Sequence, residues 1–502
     1  MKKKICLWIN NNFVMLGVGK YLQENFDYEI YAIVDSNSGI DEVIEKQQIV
    51  KFKKIWYFGK NVVPKKNIEV EYLKNVEKKY DLKMMFVAST ERLFYKEFNK
   101  YYDFKHNEIL SILEQEIKNF ENILNEIKLD YILCTPIVRH YQYLFYLICK
   151  TQSTKFLMFE PIRFGDRYIV SEELFLNAAK TIDFGQIQFQ EKTKDEIINF
   201  LECYKPRKFE LNNVKEISEK FKIKPEEKIK AMIQFPFVKN EYNNSFATLG
   251  RTKRNILFKG RGSEYKKQKK EREDYMNSNF LTNISKNQKY VYFPLHVEPE
   301  KVLHLGAPLY TDQIAIIRNI AKYLPIDYIL YVKEHPGMEN EGWRDPKYFE
   351  KIKEIQNVQL IHPKVTTQEI IENSSLVITI RGTSSLEAVF YEKPSIILAE
   401  DWGYSLIPSI HILKNLEELP QAIMDSLKKN VQLTELSDFI NLVEQKSFEM
   451  EFIHFQYELA HRFSYNVGYL KQKKYDLEKL GKILEEFKNM FKKLGNRFEE
   501  QM

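Results

Sequence analysis

The chain has 502 residues, 44% of them apolar, 14% aromatic and 29% charged, with a formal net charge of +6. That length exceeds a single core and calls for two or three domains, and the composition is globular, with apolar material for large cores. A nucleic-acid binder concentrates more positive charge than this; the balance suits an anionic small ligand or an anionic membrane surface.

After Lys2–Lys4 only five apolar residues, Ile5 to Ile9, precede three Asn. That is too short for a signal-peptide core and reads as a first strand. No run approaches the ~18 apolar residues of a membrane span, which predicts a soluble chain or one peripheral on the cytoplasmic membrane. Cys6, Cys134, Cys149 and Cys203 form no C-x-x-C pair, and three of them sit inside apolar runs. Buried free thiols fit better than a zinc site, and a reducing cytoplasm fits both.

A Gly17-x-Gly19 loop, a helix to Asn25 and a strand Ile30–Val34 ending in Asp35 continue a βαβ opening. Gly-x-Gly alone leaves two readings open, a plain scaffold turn or a nucleotide half-site. Asn107 to Ile127 carries apolar residues every three or four positions, the period of an amphipathic helix. Strands Tyr131–Thr135 and Lys155–Phe159 flank a helix Tyr141–Cys149. The first 200 residues thus alternate strand and helix, the pattern of an α/β domain. Ten Lys and Arg then crowd 251–273, from Arg251 to Arg272, either as a solvated linker or exposed helix or as a collar contacting phosphate or acidic lipid.

A second α/β domain begins near Tyr290. Strand Tyr290–Leu295 is followed by helix Asp312–Tyr323 and strand Tyr328–Val332, then by strand Val358–Ile361 and helix Thr367–Asn373. The alternation predicts a mostly parallel sheet, and two such domains imply a cleft between them. The tail beyond Leu436 reads as helical. Leu477, Leu480, Leu484, Phe487, Phe491, Leu494 and Phe498 are spaced alternately three and four apart, an a/d seam. It suits docking onto the body of the protein, a coiled-coil homodimer or a membrane-surface helix. The boundaries read 1–275 for the first domain with its basic linker at 251–273, 285–430 for the second, and 431–502 for the tail.

The segment Ser375–Ala399 reads as strand, tight loop, helix and strand, with Gly382, Thr383, Ser384 and Ser385 opening the helix. Free N–H groups and the helix dipole there suit a phosphate, and in open parallel sheets ligands bind at the carboxyl ends of the strands. Strand Tyr328–Val332 runs into Lys333-Glu334-His335-Pro336 at the same edge. Lys333 and His335 add positive potential, and an imidazole donates a hydrogen bond, then a proton, to a leaving phosphate. His296 and Glu298 follow strand Tyr290–Leu295. Glu298 reads as a loop cap, an acceptor from sugar hydroxyls or an orienter of His296. Glu387, in the first turn of its helix, either profits from the dipole or binds ribose; Asp401 is a weaker case of the same position. In the first domain, Glu160-Pro-Ile-Arg163-Phe-Gly-Asp166-Arg167 reads as a cleft loop or a surface ion-pair cluster, with Arg139-His140 beside it. An Arg beside a carboxylate keeps it ionised, as a general base must be. No Asp-x-Asp, P-loop, G-x-S-x-G or H-E-x-x-H occurs.

Three motifs in order, Y-F-P-L-H-V-E-P-E, Y-V-K-E-H-P and T-I-R-G-T-S-S-L-E-A with K-P-S-I-I-L, resemble the C-terminal half of capsular polysaccharide biosynthesis proteins over about 290–420. These are similar to GT-B glycosyltransferases of bacterial surface glycans, including sialyl- and Kdo-transferases and teichoic-acid polymerases. The resemblance implies a GT-B fold of two Rossmann-like domains facing a cleft, with the donor nucleotide on the second. It implies that His335-Pro336 and Ser384-Ser385 hold the donor phosphate and that an acidic residue of the first domain is the base, for which Glu160 and then Asp166 are the candidates.

The resulting expectation is a metal-independent glycosyltransferase with no cofactor beyond a nucleotide-sugar co-substrate, CMP- or UDP-linked, and a glycan or glycolipid acceptor. His296, Glu298, Lys333, Gly382, Thr383, Ser384, Ser385 and Glu387 would bind donor, Arg139, His140 and Arg163 would line the acceptor side, and Glu160, Asp166 and His335 would do the chemistry. A sugar-nucleotide epimerase, a polyol-phosphate transferase and a non-catalytic glycan-assembly subunit remain open alternatives.

Overall fold

Runs of aromatic and branched residues alternate with amphipathic stretches, and the computed structural model turns those runs into two sheets. It describes residues 2–38, 40–96, 98–99, 101–174, 182–202, 245–250, 263–285, 287–298, 300–463 and 476–502. Cys203 and the basic residues Arg251 to Arg261 lie outside them. The chain divides into unit 1, Met1–Leu174 with Glu202–Asn255 and Ser447–Met502, and unit 2, Phe175–Leu201 with Ile256–Lys446. The end of the chain therefore returns to unit 1 and is no separate tail domain, and a short segment before 201 goes with unit 2.

The strands are β1 (Lys4–Ile9), β2 (Glu29–Asp35), β3 (Ile55–Phe58), β4 (Tyr131–Cys134), β5 (Lys155–Pro161), β6 (Arg167–Ser171), β7 (Lys289–Pro294), β8 (Tyr328–Lys333), β9 (Val358–Ile361), β10 (Leu376–Thr379), β11 (Ser395–Ile397), β12 (Ile410–Ile412) and β13 (Phe448–Glu449). Among the described residues unit 1 has the order β13-β6-β5-β4-β1-β2-β3 and unit 2 the order β12-β11-β10-β7-β8-β9. The unit 2 sheet is parallel throughout. In unit 1 β6 pairs antiparallel to both β5 and β13. Each sheet is doubly wound: the chain leaves β1 toward β3 and returns beside it at β4, and leaves β7 toward β9 and returns beside it at β10. A crevice at the carboxyl ends is the geometric consequence of such a reversal.

Strand alternation sends neighbouring residues to opposite faces, and both faces are packed. In unit 2 Val291, Phe293, Leu330 and Val332 enter one core while Tyr290, Tyr292 and Tyr331 enter another. In unit 1 Leu7 and Ile9 meet the helix Val14–Asn25 and the end of the chain, and Trp8 turns the other way onto Phe58, Tyr141 and Phe145, with ring centroids 5.5, 6.1 and 6.0 Å away.

The heptad seam is spent inside unit 1. Helices Leu477–Glu486 and Lys488–Glu499 meet at Phe487, and Leu480, Leu484, Phe487, Phe491, Leu494 and Phe498 are buried with Ile5, Leu7 and Leu16. Six such side chains contribute on the order of 10 kcal/mol of burial before chain entropy is subtracted. Neither a coiled-coil partner nor a membrane meets this seam. Gly17 and Gly19 lie within the helix Val14–Asn25, not in a nucleotide loop. A Cβ on Gly17 would stand 2.4 Å from the Phe491 ring, and one on Gly19 2.5 Å from Leu7 Cδ1. The Gly-x-Gly pair is a packing device that admits a ring and a leucine. Among the described residues no helix is long and apolar enough to cross a membrane.

Candidate functional site

In unit 2 the loops after β7, β8 and β10, three adjacent strands, converge at the carboxyl edge where the winding reverses. β8 places Lys333 and Glu334 on opposite faces. Lys333, 3% exposed, shares its face with Tyr331 and donates from Nζ to Thr367 Oγ1 at 3.0 Å. Burial pushes its pKa down to about 8, against the opposing charge of Glu387. Glu334 turns to the other face, fully buried. It pairs with Arg344 and accepts the His335 N–H at 2.7 Å. Burial raises its pKa, against the charge of Arg344.

Pro336 has no N–H to continue the strand, so His335 caps a short 3₁₀ turn, Pro336–Glu341, and Nδ1 accepts the Gly337 N–H at 3.0 Å. The ring is exposed to solvent on its outer side. Desolvation of its inner side, with Arg344 and Lys333 behind it, pushes its pKa down to about 4. A neutral ring that accepts at Nδ1 carries its proton on Nε2. At neutral pH His335 is therefore a hydrogen-bond donor toward solvent and not an imidazolium.

His296 is held from three sides. Its N–H donates to Gln313 Oε1 at 2.8 Å, its carbonyl accepts from Arg344, and Nε2 lies 2.8 Å from the Arg381 carbonyl oxygen. That last bond ties the β7 loop to the β10 loop. A Cβ at Gly382 would stand 3.3 Å from Thr379 Oγ1 and 3.5 Å from His296 Nε2, so the loop packs closely against both side chains. Glu298 is engaged by Gln313 at 2.6 Å and Arg344 at 3.6 Å, the contacts of a loop cap. Gly382, Thr383, Ser384 and Glu387 are half-buried at the edge. Ser385 is not with them. It is fully buried, its Oγ donates to the Gly382 carbonyl at 2.8 Å, and its carbonyl accepts from Ser395 Oγ at 3.0 Å. The second serine pins the loop and the first faces out of it, because successive residues of a helical turn point about 100° apart.

Two arginines that the sequence reading passed over organise this edge from beneath. Arg381, 2% exposed, donates to the Gly306 carbonyl at 3.1 Å and pairs with Asp401 at 3.7 Å. Arg344, 7% exposed, joins Glu334, Glu298 and the His296 carbonyl. Neither carries a periodicity or spacing signal.

The unit 1 candidates are arranged differently from the cleft loop expected. β5 runs through Glu160 to Pro161 and folds back as β6, with Glu160 opposite Ile169. The connection 162–166 is a hairpin that Arg163 (φ 58°) and Gly165 (φ 54°) turn through the left-handed region. Glu160 is 1% exposed, whereas Asp166 is exposed at the turn. His140 is fully buried between two carboxylates, Glu91 at Nδ1 and Glu116 at Nε2, each 2.9 Å away. It reaches no open acceptor side. Burial opposes its charge, and the two carboxylates, Glu116 foremost, outweigh burial and raise its pKa to about 9. Glu91 in turn loses to burial but gains more from the His140 bond and from Arg139, and falls to about 2. Arg139 Nη1 lies 3.2 Å from Glu91 and the side chain keeps one-third of its surface exposed. The sequence signal for this cluster is the Arg-His pair itself; its partners lie 24 and 49 positions upstream. Among the described residues no three of His, Cys, Asp and Glu are gathered so as to hold a metal ion.

Residues 208–406 match the model of the capsule polysaccharide biosynthesis protein family, and the resemblance read from the three motifs is borne out over that stretch. The match supports a glycan-related function. No curated protein matches the chain. Among solved structures, the Thermosulfurimonas dismutans KpsC β-Kdo 2,7 transferase is similar at 10% identity and a TM-score of 0.31, over 64% of this chain and 79% of that one. The UDP-GlcNAc 2-epimerase of Neisseria meningitidis bound to UDP-GlcNAc is similar at 12% and 0.26, over 88% and 99%. That of Methanocaldococcus jannaschii in complex with UDP-GlcNAc and UDP stands at 12% and 0.27, again over 88% and 99%. Likeness at this level carries no argument about this chain.

Proposed function

From that family match we propose that the chain is a GT-B-type glycosyltransferase that moves a sugar from a CMP- or UDP-linked donor to a growing capsular or other cell-surface glycan, or to its lipid-linked acceptor. The observation that carries the reading is the convergence, at one edge of unit 2, of Lys333, the outward Nε2–H of His335 and the half-buried Gly382-Thr383-Ser384 turn. These are donors gathered where a phosphate's charge would develop. Lys333 would bind the diphosphate or phosphodiester as a cation, His335 would stabilise the departing phosphate as a neutral donor, and Ser384 with the backbone N–H groups of the turn would take the remaining oxygens. Glu387, beside Lys333, would accept from ribose hydroxyls.

On the acceptor side, burial of Glu160 favours Asp166 as the carboxylate that takes the proton from the attacking hydroxyl. Arg163 on the same hairpin, and Arg139 with its exposed third, would orient the acceptor; His140 would support Arg139 through Glu91. No metal ion is invoked for the leaving group, whose charge the named side chains meet.

The test is turnover. Purified protein given CMP- or UDP-linked sugars and a glycan acceptor should release the nucleotide only with acceptor present, and His335→Ala should lower that release at least 100-fold. Nucleotide-sugar conversion without acceptor would point to epimerisation, and in-cell glycan production unchanged in His335→Ala would point to a non-catalytic assembly role.

A further inference from the structure

We propose that Arg344 is a positioning residue for the His335 loop, and that Arg272, on the helix Ser263–Asn279, holds Arg344 in place from outside. The inference rests on the reading of His335 as a phosphate-contacting group, and it gives part of the basic segment a role that needs neither lipid nor nucleic acid.

Arg344 joins the loops after β7 and β8 with one side chain. It pairs with Glu334, whose same oxygen accepts the His335 N–H. It also donates to the His296 carbonyl and lies 3.6 Å from Glu298. Its guanidinium rests 5.1 Å over the Tyr348 ring, on the helix Pro346–Lys353. A planar fork with several fixed donors suits this bridging; a lysine ammonium does not. The His335 and His296 loops therefore share one buried anchor.

The anchor is itself set by an uncommon backbone. Gly342 (φ 85°) and Trp343 (φ 63°) both adopt the left-handed region, a strained conformation for a bulky residue such as Trp. Arg272 Nη1 donates to the carbonyls of Gly342 at 3.1 Å and Trp343 at 2.6 Å. The Trp343 indole donates to Glu273 at 3.1 Å. The helix clamps the turn that turns Arg344 inward. Of the basic residues in that helix, Arg272 is thus engaged in holding the edge and not offered to solvent.

The charged groups around the His335 ring are Lys333 and Glu334 on its own strand, Arg344 before the next helix, Glu298 on the β7 loop and Glu339 on the following turn. Two variants separate the roles. Arg344→Met with Glu334→Leu replaces the buried pair by apolar side chains, a swap that buried ion pairs often tolerate. Arg272→Ala removes only the outer clamp. The readouts are the titration of the His335 ring followed by NMR and the affinity for CDP and UDP by calorimetry. In the double variant, which removes a cation and an anion together, the His335 midpoint should rise toward its ordinary value, because a loop that has lost its anchor opens the ring to water and the Arg344 charge that lowers it is gone, and Kd should rise about tenfold. Arg272→Ala should move both the same way, with Kd up roughly threefold. Folded variants in which His335 titrates as in the parent protein would overturn the inference. If the midpoint moves but no protein in the series binds either nucleotide, the positioning role stands and the proposed function fails. If nucleotide binds and the midpoint stays, the reverse holds.

Discussion

His296 Nε2 lies 2.8 Å from the Arg381 carbonyl oxygen, and this bond joins two loops that leave adjacent strands in opposite directions. It is the stitch across the winding reversal of unit 2. His296→Ala removes it and leaves a carbonyl at a buried site, a loss of about 1–3 kcal/mol. The expected outcome is a lower unfolding midpoint by chemical denaturation together with nucleotide affinity reduced about tenfold. Loss of stability with full affinity would mean that the β10 loop keeps its shape unaided.

The adjacent serines should respond differently. Ser385→Ala deletes the hydroxyl that bonds Gly382 and should cost about 1 kcal/mol of stability. Ser384→Ala, at a half-buried position, should leave stability within about 0.5 kcal/mol and weaken nucleotide binding severalfold. Denaturation and calorimetry on the pair decide it.

Lys333 supplies a pH dependence with a definite sign. Its pKa is pushed down to about 8 by burial, so the ammonium is present below pH 8 and is lost above it. Nucleotide affinity should be level between pH 6 and about 7.5 and fall as pH rises through about 8, with His335 already neutral over that range. In Lys333→Met the affinity should be weak and flat with pH.

Much of this was legible in the chain. Parallel strands betray themselves by short apolar runs, so β1, β2, β4, β5, β7, β8 and β9 were placed within two residues, and the β10 turn was found from Gly382 to Ser385. What failed were features whose meaning depends on a partner in space. Gly17 and Gly19 look alike whether a phosphate or the Phe491 ring approaches them. The seam from Leu480 to Phe498 specifies an apolar partner but not whose. The polar stretch Arg163–Asp166 reads as a loop because a hairpin's turn chemistry and a cleft loop share residue types. Arg344 gave no signal at all, since its carboxylates lie ten and forty-six positions away in sequence.

His140 carries the second pH prediction. Its pKa is raised from 6.5 to about 9 by Glu116 and Glu91 against burial. A raised folded pKa means its contribution is complete below about pH 6.5 and disappears as pH rises through about 9. Unit 1 should therefore unfold at lower denaturant at pH 9.5 than at pH 6.5, and His140→Gln, which strands two buried carboxylates, should cost about 3–5 kcal/mol at pH 7. A variant whose stability falls equally at both pH values would contradict the ionised bridge.

The central claim is that the edge formed by the ends of β7, β8 and β10 holds a nucleotide's phosphates, and thermal stability with CMP, CDP, UDP and GDP tests it most directly. Bound ligand raises the midpoint in proportion to its occupancy. At least one of the four should raise the Tm of the parent protein by several degrees, and Lys333→Met and Ser384→Ala should each reduce that rise while leaving the ligand-free midpoint near the parent's. A rise that persists undiminished in both variants, or no rise with any of the four, would contradict it.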